Sequence, residues 1–278
     1  MILVFGKTGQ VGSELNKFKD VLCVDKKKVN LLNPDSCFRK IIEISPKAVI
    51  NAAAYTNVKN AEKEKNIANV INGYAPGAMA KACYKLNIPF IHISTDYVFD
   101  GNKKNEWRPH DKTNPLNMYG KSKLAGEKEI IKSGVNYVIL RTSWIISSRG
   151  KNFVKTILEL SKNNFELSVV NDQIGGPTPA INVALSCLQI AKMLIEDPKK
   201  SGIYHYSGLP NVSWNFLAKK IIELVERKVE VIPVLTYEYD KELKRPLNSI
   251  LNCETTLKTF GILQPKWRIE LKNIIKEL

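Results

Sequence analysis

The sequence predicts an α/β fold, a doubly wound parallel sheet with a smaller C-terminal lobe. Three observations carry that prediction. Short apolar runs alternate with helical patterns from the N-terminus to about residue 150, a glycine-rich turn joins the first run to the first helical pattern, and beyond residue 150 the alternation loosens. Runs that are apolar on both faces suit a parallel sheet covered on both sides.

The first strand, expected over 1–5, centres on Ile2-Leu3-Val4-Phe5. It breaks into Gly6-Lys7-Thr8-Gly9-Gln10-Val11-Gly12, and a helical pattern continues over about 12–17. A helix start presents unpaired N–H groups and the positive end of its dipole, and glycines let a phosphate approach the backbone, so this turn is suited to hold one. Its spacing is G-x-x-G-x-x-G, whereas the commoner dinucleotide fingerprint is G-x-G-x-x-G. Further strands are expected at 21–25, Ala48-Val49-Ile50-Asn51, Phe90-Ile91-His92-Ile93 and Tyr137-Val138-Ile139-Leu140. Helical patterns at 35–44, 65–85 and 119–132 lie between them, which is the βαβ rhythm of a Rossmann-like sheet. A helix at 152–163, the polar loop from Asn171 to Thr178, a helix at 180–196 and a mixed final segment follow. The expected division is a dinucleotide-binding domain over 1–165 and a substrate-binding lobe over 166–278, with the helix 180–196 a candidate to return to the first.

Composition bounds the class. The chain has 278 residues, 44% apolar and 25% charged, which is enough to bury a full core. No apolar run reaches the roughly 18 residues of a membrane span, and Met1 leads straight into the first strand, so a cytoplasmic protein without a membrane partner is expected. Five scattered cysteines without C-x-x-C argue for reduced, packed thiols. The three histidines are far apart, no metal ligand is assigned, and His92, inside an apolar run, reads as a core histidine. The net charge of +15 comes from lysines spread along the chain, with no basic tail or aromatic platform, so nucleic acid is not an expected partner. Such a field does favour a small anionic substrate.

In a doubly wound sheet ligands sit beyond the carboxyl ends of the strands. After strand two stands Asp25, at the distance from Gly6 where an acid takes an adenosine ribose, beside Lys26-Lys27-Lys28, which can meet a 2′-phosphate. After strand three comes Asn51-Ala52-Ala53-Ala54-Tyr55-Thr56, whose small side chains leave room for a flat ring. After strand four comes Ser94-Thr95-Asp96-Tyr97, rich in hydroxyls. Tyr119 and Lys123 are four apart and share one helix face, where a fixed ammonium can lower the phenol pKa and make Tyr119 a proton donor to a carbonyl.

Glycine turn, Ser-Thr strand end and Tyr-x-x-x-Lys pair, in this order, resemble the extended short-chain dehydrogenase/reductase superfamily. The strings Asn51-Ala52-Ala53-Ala54, Ser94-Thr95-Asp96-Tyr97-Val98-Phe99, Pro115-Leu116-Asn117, Arg141-Thr142-Ser143-Trp144, Asn171-Asp172-Gln173 and Arg245-Pro246 with Asn248-Ser249 look like its dTDP-4-dehydrorhamnose reductase family. The resemblance implies reduction of the 4-keto group of a dTDP-6-deoxy-4-keto-hexose by NADPH or NADH, with NADPH modestly favoured, giving dTDP-L-rhamnose. It implies Thr95, Tyr119 and Lys123 as the catalytic set. Gly6, Thr8, Gly9, Gln10, Val11, Gly12, Asp25, Lys26, Asn30, Leu31, Ala53, Ala54, Thr56, Tyr119 and Lys123 would hold the cofactor. Thr95, Asp96, Tyr97, Tyr119, Trp144 and Arg245 would meet the nucleotide sugar. Tyr55 departs from the family's usual His, and a homodimer stays open. Two other readings compete: a nucleotide-sugar epimerase or dehydratase that retains its NAD, and a non-catalytic subunit resembling the regulatory subunit of methionine adenosyltransferase. The Thr95-Asp96-Tyr97 strand end and the intact Tyr119 and Lys123 favour the reductase.

Overall fold

The computed structural model describes residues 1–239 and 242–278. Its central sheet contains β1 (Ile2–Phe5), β2 (Val21–Val24), β3 (Ala48–Asn51), β4 (Phe90–Thr95) and β5 (Tyr137–Thr142). Four short strands follow, β6 (Ile145–Ile146), β7 (Glu166–Val170), β8 (Ile174–Gly175) and β9 (Thr178–Pro179), before β10 (Gly202–His205) rejoins the sheet. The order is β2-β1-β3-β4-β5-β10, parallel throughout. The winding therefore reverses between β1 and β3, and the crevice at such a switch point is where ligands of doubly wound sheets bind.

The helices are α1 (Gln10–Leu15), α2 (Pro34–Ile44), α3 (Val58–Lys63), α4 (Lys65–Asn69), α5 (Ala75–Leu86), α6 (Met118–Lys132), α7 (Phe153–Leu160), α8 (Ala180–Glu196) and α9 (Trp214–Leu224). On one face of the sheet, Val183, Ala184, Cys187 and Ile190 of α8 join Val11 and Leu15 of α1 over Val4, Ile50 and Ile91. On the other, α2, α5 and α6 supply Ile41, Met79 and Ile130 over Leu3, Val49 and Ile139. A second core, built on Trp267, Leu217, Ile221, Val169 and Val231, holds the C-terminal lobe. All five cysteines are buried and unpaired. Among the described residues, no helix is long and apolar enough to cross a membrane.

One strand goes unmarked in the sequence, and one expectation needs correction. Within the stretch 166–278, the strand β10, which the sequence reading did not place, joins the central sheet, and α8 packs on that sheet as the helix 180–196 was a candidate to do. That strand, Gly202-Ile203-Tyr204-His205, holds one aliphatic side chain, so no apolar run marks it. The helical pattern over 65–85 is also not continuous: a π-helical turn, Val70–Tyr74, separates α4 from α5. Pro76 has no N–H to give the carbonyl of Asn72 four residues earlier. At the same place α6 comes so near that a Cβ on Gly126 would stand 2.1 Å from that carbonyl oxygen. The Asn72 side chain in this turn bonds to Tyr55 and Ser122.

A buried ion pair ties α6 to β5. The Arg141 guanidinium grips the Glu127 carboxylate with two hydrogen bonds, 3.0 Å from Nε and 2.7 Å from the terminal nitrogen, and gives a third to the Pro109 carbonyl. Ser94 Oγ donates to the same carboxylate at 2.5 Å.

Candidate active site

The glycine turn lies at the switch point. Gly6 has φ +101°, a conformation that L side chains avoid, and a Cβ there would stand 2.8 Å from the backbone nitrogen of Ala53. A Cβ on Gly12 would stand 1.9 Å from the Gly6 carbonyl oxygen, so both positions exclude a side chain outright. Gly9 is the N-cap residue of α1 and offers no side chain to cap it. Thr8 is exposed, Gln10 has a buried side-chain oxygen without a hydrogen-bond partner among the described residues, and Val11 packs into the core. This cradle, with backbone N–H groups at a helix start and no side chain at Gly6, Gly9 or Gly12 to block approach, fits a dinucleotide diphosphate.

Around it the remaining cofactor candidates differ in availability. Asp25 follows β2 directly, and its Oδ1 accepts from the Lys27 and Lys28 backbone N–H groups at 3.0 and 3.1 Å. The acid therefore shapes its own turn, and the side chains of Lys26, Lys27 and Lys28 are exposed around it. Asn30 is likewise a turn former, its Oδ1 accepting from Leu32 N at 3.1 Å, while Leu31 packs on the core. Ala53 and Ala54 line the approach to Gly6, half-buried, and Thr56 is exposed beyond them. Tyr55 is anchored through its backbone: its N–H donates to Asn72 Oδ1 at 2.8 Å, and Asn72 Nδ2 reaches the Tyr55 carbonyl and Ser122 Oγ, both at 3.0 Å. The Tyr55 hydroxyl meets Glu64. Asn72 thus fastens the strand-three loop to the helix that carries Tyr119 and Lys123, a link across 50 positions that no local pattern announces.

Thr95, Asp96, Tyr97, Tyr119 and Lys123 converge at the carboxyl end of β4. Thr95 Oγ1 donates to Asp96 Oδ1 at 2.9 Å and accepts from Tyr97 N at 3.2 Å. Burial pushes the Asp96 carboxyl up to about 6, with the hydroxyls of Ser249 and Thr95 pulling the other way. The Tyr97 and Tyr119 rings meet edge to face with centroids 5.5 Å apart. Asn117 caps α6 by accepting from Gly120 N at 3.0 Å, which starts the helix where Tyr119 faces β4. Burial raises the Tyr119 phenol above its ordinary value, and its hydrogen bond with Thr95 offsets this in part. The expected lowering by Lys123 is absent from this arrangement. Lys123 Nζ is turned inward, 2.7 Å from the Ile93 carbonyl oxygen and 3.1 Å from His92 Nε2. Burial pushes the Lys123 amine down to about 8, and Glu127 one turn further along α6 acts against that.

On the lobe side, Trp144 has φ +49°, a strained conformation for a bulky residue. Its ring stacks on Trp214 with centroids 3.5 Å apart, and it covers Gly175 so closely that a Cβ there would stand 2.7 Å from the indole. Trp214 Nε1 donates to Gln173 Oε1 at 3.2 Å. The sequence marked Trp144 and the loop from Asn171 but not Trp214, which reads as an ordinary apolar residue at the start of α9. Arg245 stands beside the Tyr97 hydroxyl, where its charge and hydrogen bond act to lower that phenol against the larger effect of burial. Its Nε is buried without a hydrogen-bond partner among the described residues. Gly101, with φ +75°, lets Pro246 and Leu247 pack on the chain after β4, and Asn117 Nδ2 holds the Lys244 carbonyl at 3.0 Å, which fixes the segment against the site.

A glycine cradle at the switch point of a doubly wound sheet, opening onto a tyrosine and a lysine one helical turn apart, defines an NAD(P)-dependent oxidoreductase of the extended short-chain dehydrogenase/reductase class. Comparison with known proteins narrows that class. The RmlD substrate binding domain family matches residues 1–278. The dTDP-4-dehydrorhamnose reductase of Aggregatibacter actinomycetemcomitans is 41% identical over 98% of this chain and 97% of its own length. That of Shigella flexneri is 36% identical over 100% and 97%. The crystal structure of the Bacillus anthracis dTDP-4-dehydrorhamnose reductase in complex with NADP superposes with a TM-score of 0.91 at 36% identity, covering 100% of this chain and 99% of that one. The chain belongs to this family of dTDP-4-dehydrorhamnose reductases. The dTDP-glucose 4,6-dehydratase of Streptomyces venezuelae, at 14% identity and a TM-score of 0.80, shares the fold.

Proposed function

We propose that this chain reduces the 4-keto group of dTDP-6-deoxy-L-lyxo-4-hexulose, giving dTDP-L-rhamnose, with NADPH preferred modestly over NADH, in the cytoplasm. The observation that carries the reading is the meeting of Thr95 and Tyr119 at the carboxyl end of β4, beside the glycine cradle, in a chain that matches dTDP-4-dehydrorhamnose reductases from end to end. Bound at that cradle, the nicotinamide cofactor supplies hydride to the keto carbon. The rest falls to the chain. Tyr119, whose raised phenol pKa keeps its proton at neutral pH, donates that proton to the keto oxygen as negative charge develops there. Thr95 orients the same oxygen, and Lys123 holds the nicotinamide ribose once it turns outward. Tyr97, Asp96 and the Trp144–Trp214 stack enclose the sugar, and the Arg245 guanidinium takes the diphosphate. All these groups come from one chain, so the chemistry requires no second copy. The division into a cofactor-binding portion and a substrate lobe remains part of this reading, with α8 and β10 assigned to the former.

The test is loss of nicotinamide absorbance when the protein and NADPH meet a panel of nucleotide 4-keto-6-deoxy sugars. Turnover with the dTDP-linked sugar and weaker turnover with the UDP-linked one is expected. No oxidation with any sugar, in protein that binds NADP⁺, would sink the reading.

Two further results follow from the same geometry. Changing Lys26, Lys27 and Lys28 together to Ala should lower the NADPH-over-NADH preference by roughly tenfold, because exposed charges facing a 2′-phosphate contribute modestly and are screened by salt. An unchanged ratio of kcat/KM values would mean that the lysines only solvate the turn. Arg245→Ala should cost about 2–4 kcal/mol in kcat/KM for the nucleotide sugar with cofactor affinity nearly untouched, and Arg245→Lys should not restore it fully, since lysine lacks the planar fork. Equal kcat/KM for wild type and Arg245→Ala would move the diphosphate elsewhere in the lobe.

A further inference from the structure

Behind Tyr119 a chain of buried polar groups runs from β3 through β4 to Lys123. The Ala53 N–H donates to Asn51 Oδ1 at 3.1 Å, Asn51 Nδ2 stands 3.1 Å from His92 Nδ1, and His92 Nε2 stands 3.1 Å from Lys123 Nζ. Lys123 Nζ also donates to the Ile93 carbonyl at 2.7 Å. Asn51, His92 and Lys123 are all shut off from solvent. In such a place each contact must pair one donor with one acceptor.

Only one assignment does so. A backbone N–H can only donate, so Ala53 fixes Asn51 Oδ1 as its acceptor, and flipping the amide would set N–H against N–H. Asn51 Nδ2 is therefore the donor and His92 Nδ1 must be bare. A neutral imidazole with a bare Nδ1 carries its proton on Nε2, which points that N–H at Lys123 Nζ. An imidazolium would place a second N–H against Asn51. An ammonium has no lone pair to accept the Nε2 proton, whereas an amine has one and still has N–H groups to give Ile93.

We propose that Asn51 fixes the tautomer of His92, that His92 thereby holds Lys123 as an uncharged amine, and that seating NADP⁺ draws Lys123 off His92 with uptake of one proton from solvent. The amine plus a proton becomes the ammonium that grips the ribose, so nothing else is consumed. The proposal makes His92 a positioning residue, and its cofactor half rests on the functional reading above. Of the other charged or titratable groups around Lys123, Glu127 alone favours the ammonium. On α6 these are Tyr119, whose phenol is held neutral by burial, and Glu127. The Glu127 carboxylate is already neutralised by the two-pronged grip of Arg141 from β5. On β4 there is His92, whose own protonation burial and Lys123 both oppose. With the amine pushed down to about 8, the coupling falls in an accessible range.

Two measurements on the full chain test it. In a ¹⁵N-histidine-labelled sample without cofactor, long-range proton–nitrogen correlation should show His92, one of only three histidines, with a bare Nδ1 and a protonated Nε2. Asn51→Asp, nearly the same size but offering acceptors only, should move the proton to Nδ1. A wild-type His92 protonated at Nδ1, or at both nitrogens, would overturn the proposal. Calorimetry of NADP⁺ binding in buffers of different ionisation enthalpy should report proton uptake that grows toward one per cofactor bound as pH rises through the range of the Lys123 amine, with Kd weakening up to about tenfold per pH unit. The sign follows because the bound form holds the proton and the free form loses it as pH rises. Uptake should largely disappear in Asn51→Asp, and in His92→Gln as a second variant, since each lets Lys123 start as an ammonium. Uptake equal to wild type in both folded variants, or none in wild type, would overturn the coupling. Failure of wild-type protein to bind NADP⁺ at any pH would instead overturn the functional reading, and the tautomer measurement, made without cofactor, tells the two failures apart.

Discussion

Tyr119→Phe is expected to lower kcat by roughly 10²–10⁴ while leaving the fold and NADPH affinity nearly unchanged. The substitution removes one hydroxyl and keeps the ring, so the edge-to-face contact with Tyr97 at 5.5 Å survives. Thr95 loses one partner but keeps Asp96 Oδ1 at 2.9 Å and the Tyr97 N–H at 3.2 Å, so no buried group is left without a hydrogen bond. What disappears is the proton donor at the developing alkoxide, an interaction made only as the reaction proceeds. That is why kcat and kcat/KM should fall together while the cofactor Kd stays put. Lys123→Ala should differ, weakening cofactor binding as well. Steady-state kinetics beside fluorescence titration of NADPH separates the two patterns, and a Tyr119→Phe enzyme turning over at the wild-type rate would remove Tyr119 from the chemistry.

The largest effect on stability should come from the ion pair beneath the site. Glu127→Ala is expected to cost about 3–5 kcal/mol in unfolding free energy, and Arg141→Met a similar amount, because each leaves an unpaired charge where the side chains are only 1% and 3% exposed. The desolvation penalty of the orphaned ion outweighs the lost attraction. Replacing both, Glu127→Ala with Arg141→Met, should therefore cost much less than the sum of the single changes. Urea denaturation of the four proteins completes that cycle. Single variants within about 1 kcal/mol of wild type would show that the pair is solvated after all.

How far the sequence carried this account depended on how local the cause was. The glycine turn was legible because its demands are local: Gly6 takes φ +101°, and a Cβ on Gly12 would meet the Gly6 carbonyl six residues earlier. Helix 180–196 was legible to the residue, since its apolar face repeats at helical spacing along one continuous run. Tyr119 and Lys123 were legible as a pair but not in what they touch. The phenol was expected to feel an ammonium, whereas Lys123 turns toward His92 and Ile93, partners on a strand some 30 positions away. His92 itself was read as a satisfied core histidine, and it is one; that its satisfaction comes from Lys123 lies in the register of β4 against α6. Asn72 sits in a π-helical turn that a helical period conceals, and its partners Tyr55 and Ser122 come from two other elements. Trp214 is the same kind of omission, an indole whose stacking on Trp144 depends on how the lobe folds back.

The central claim is that hydride reaches the sugar carbonyl carbon and leaves the enzyme with the product. It is tested most directly by running the reaction with dTDP-6-deoxy-L-lyxo-4-hexulose and NADPH carrying deuterium at both positions of nicotinamide C4, then locating the label. The account predicts one deuterium per product molecule, at C4 of dTDP-L-rhamnose, with one NADP⁺ released for each sugar reduced. Product without deuterium, label at another carbon, or conversion of the sugar with no net oxidation of NADPH would contradict it.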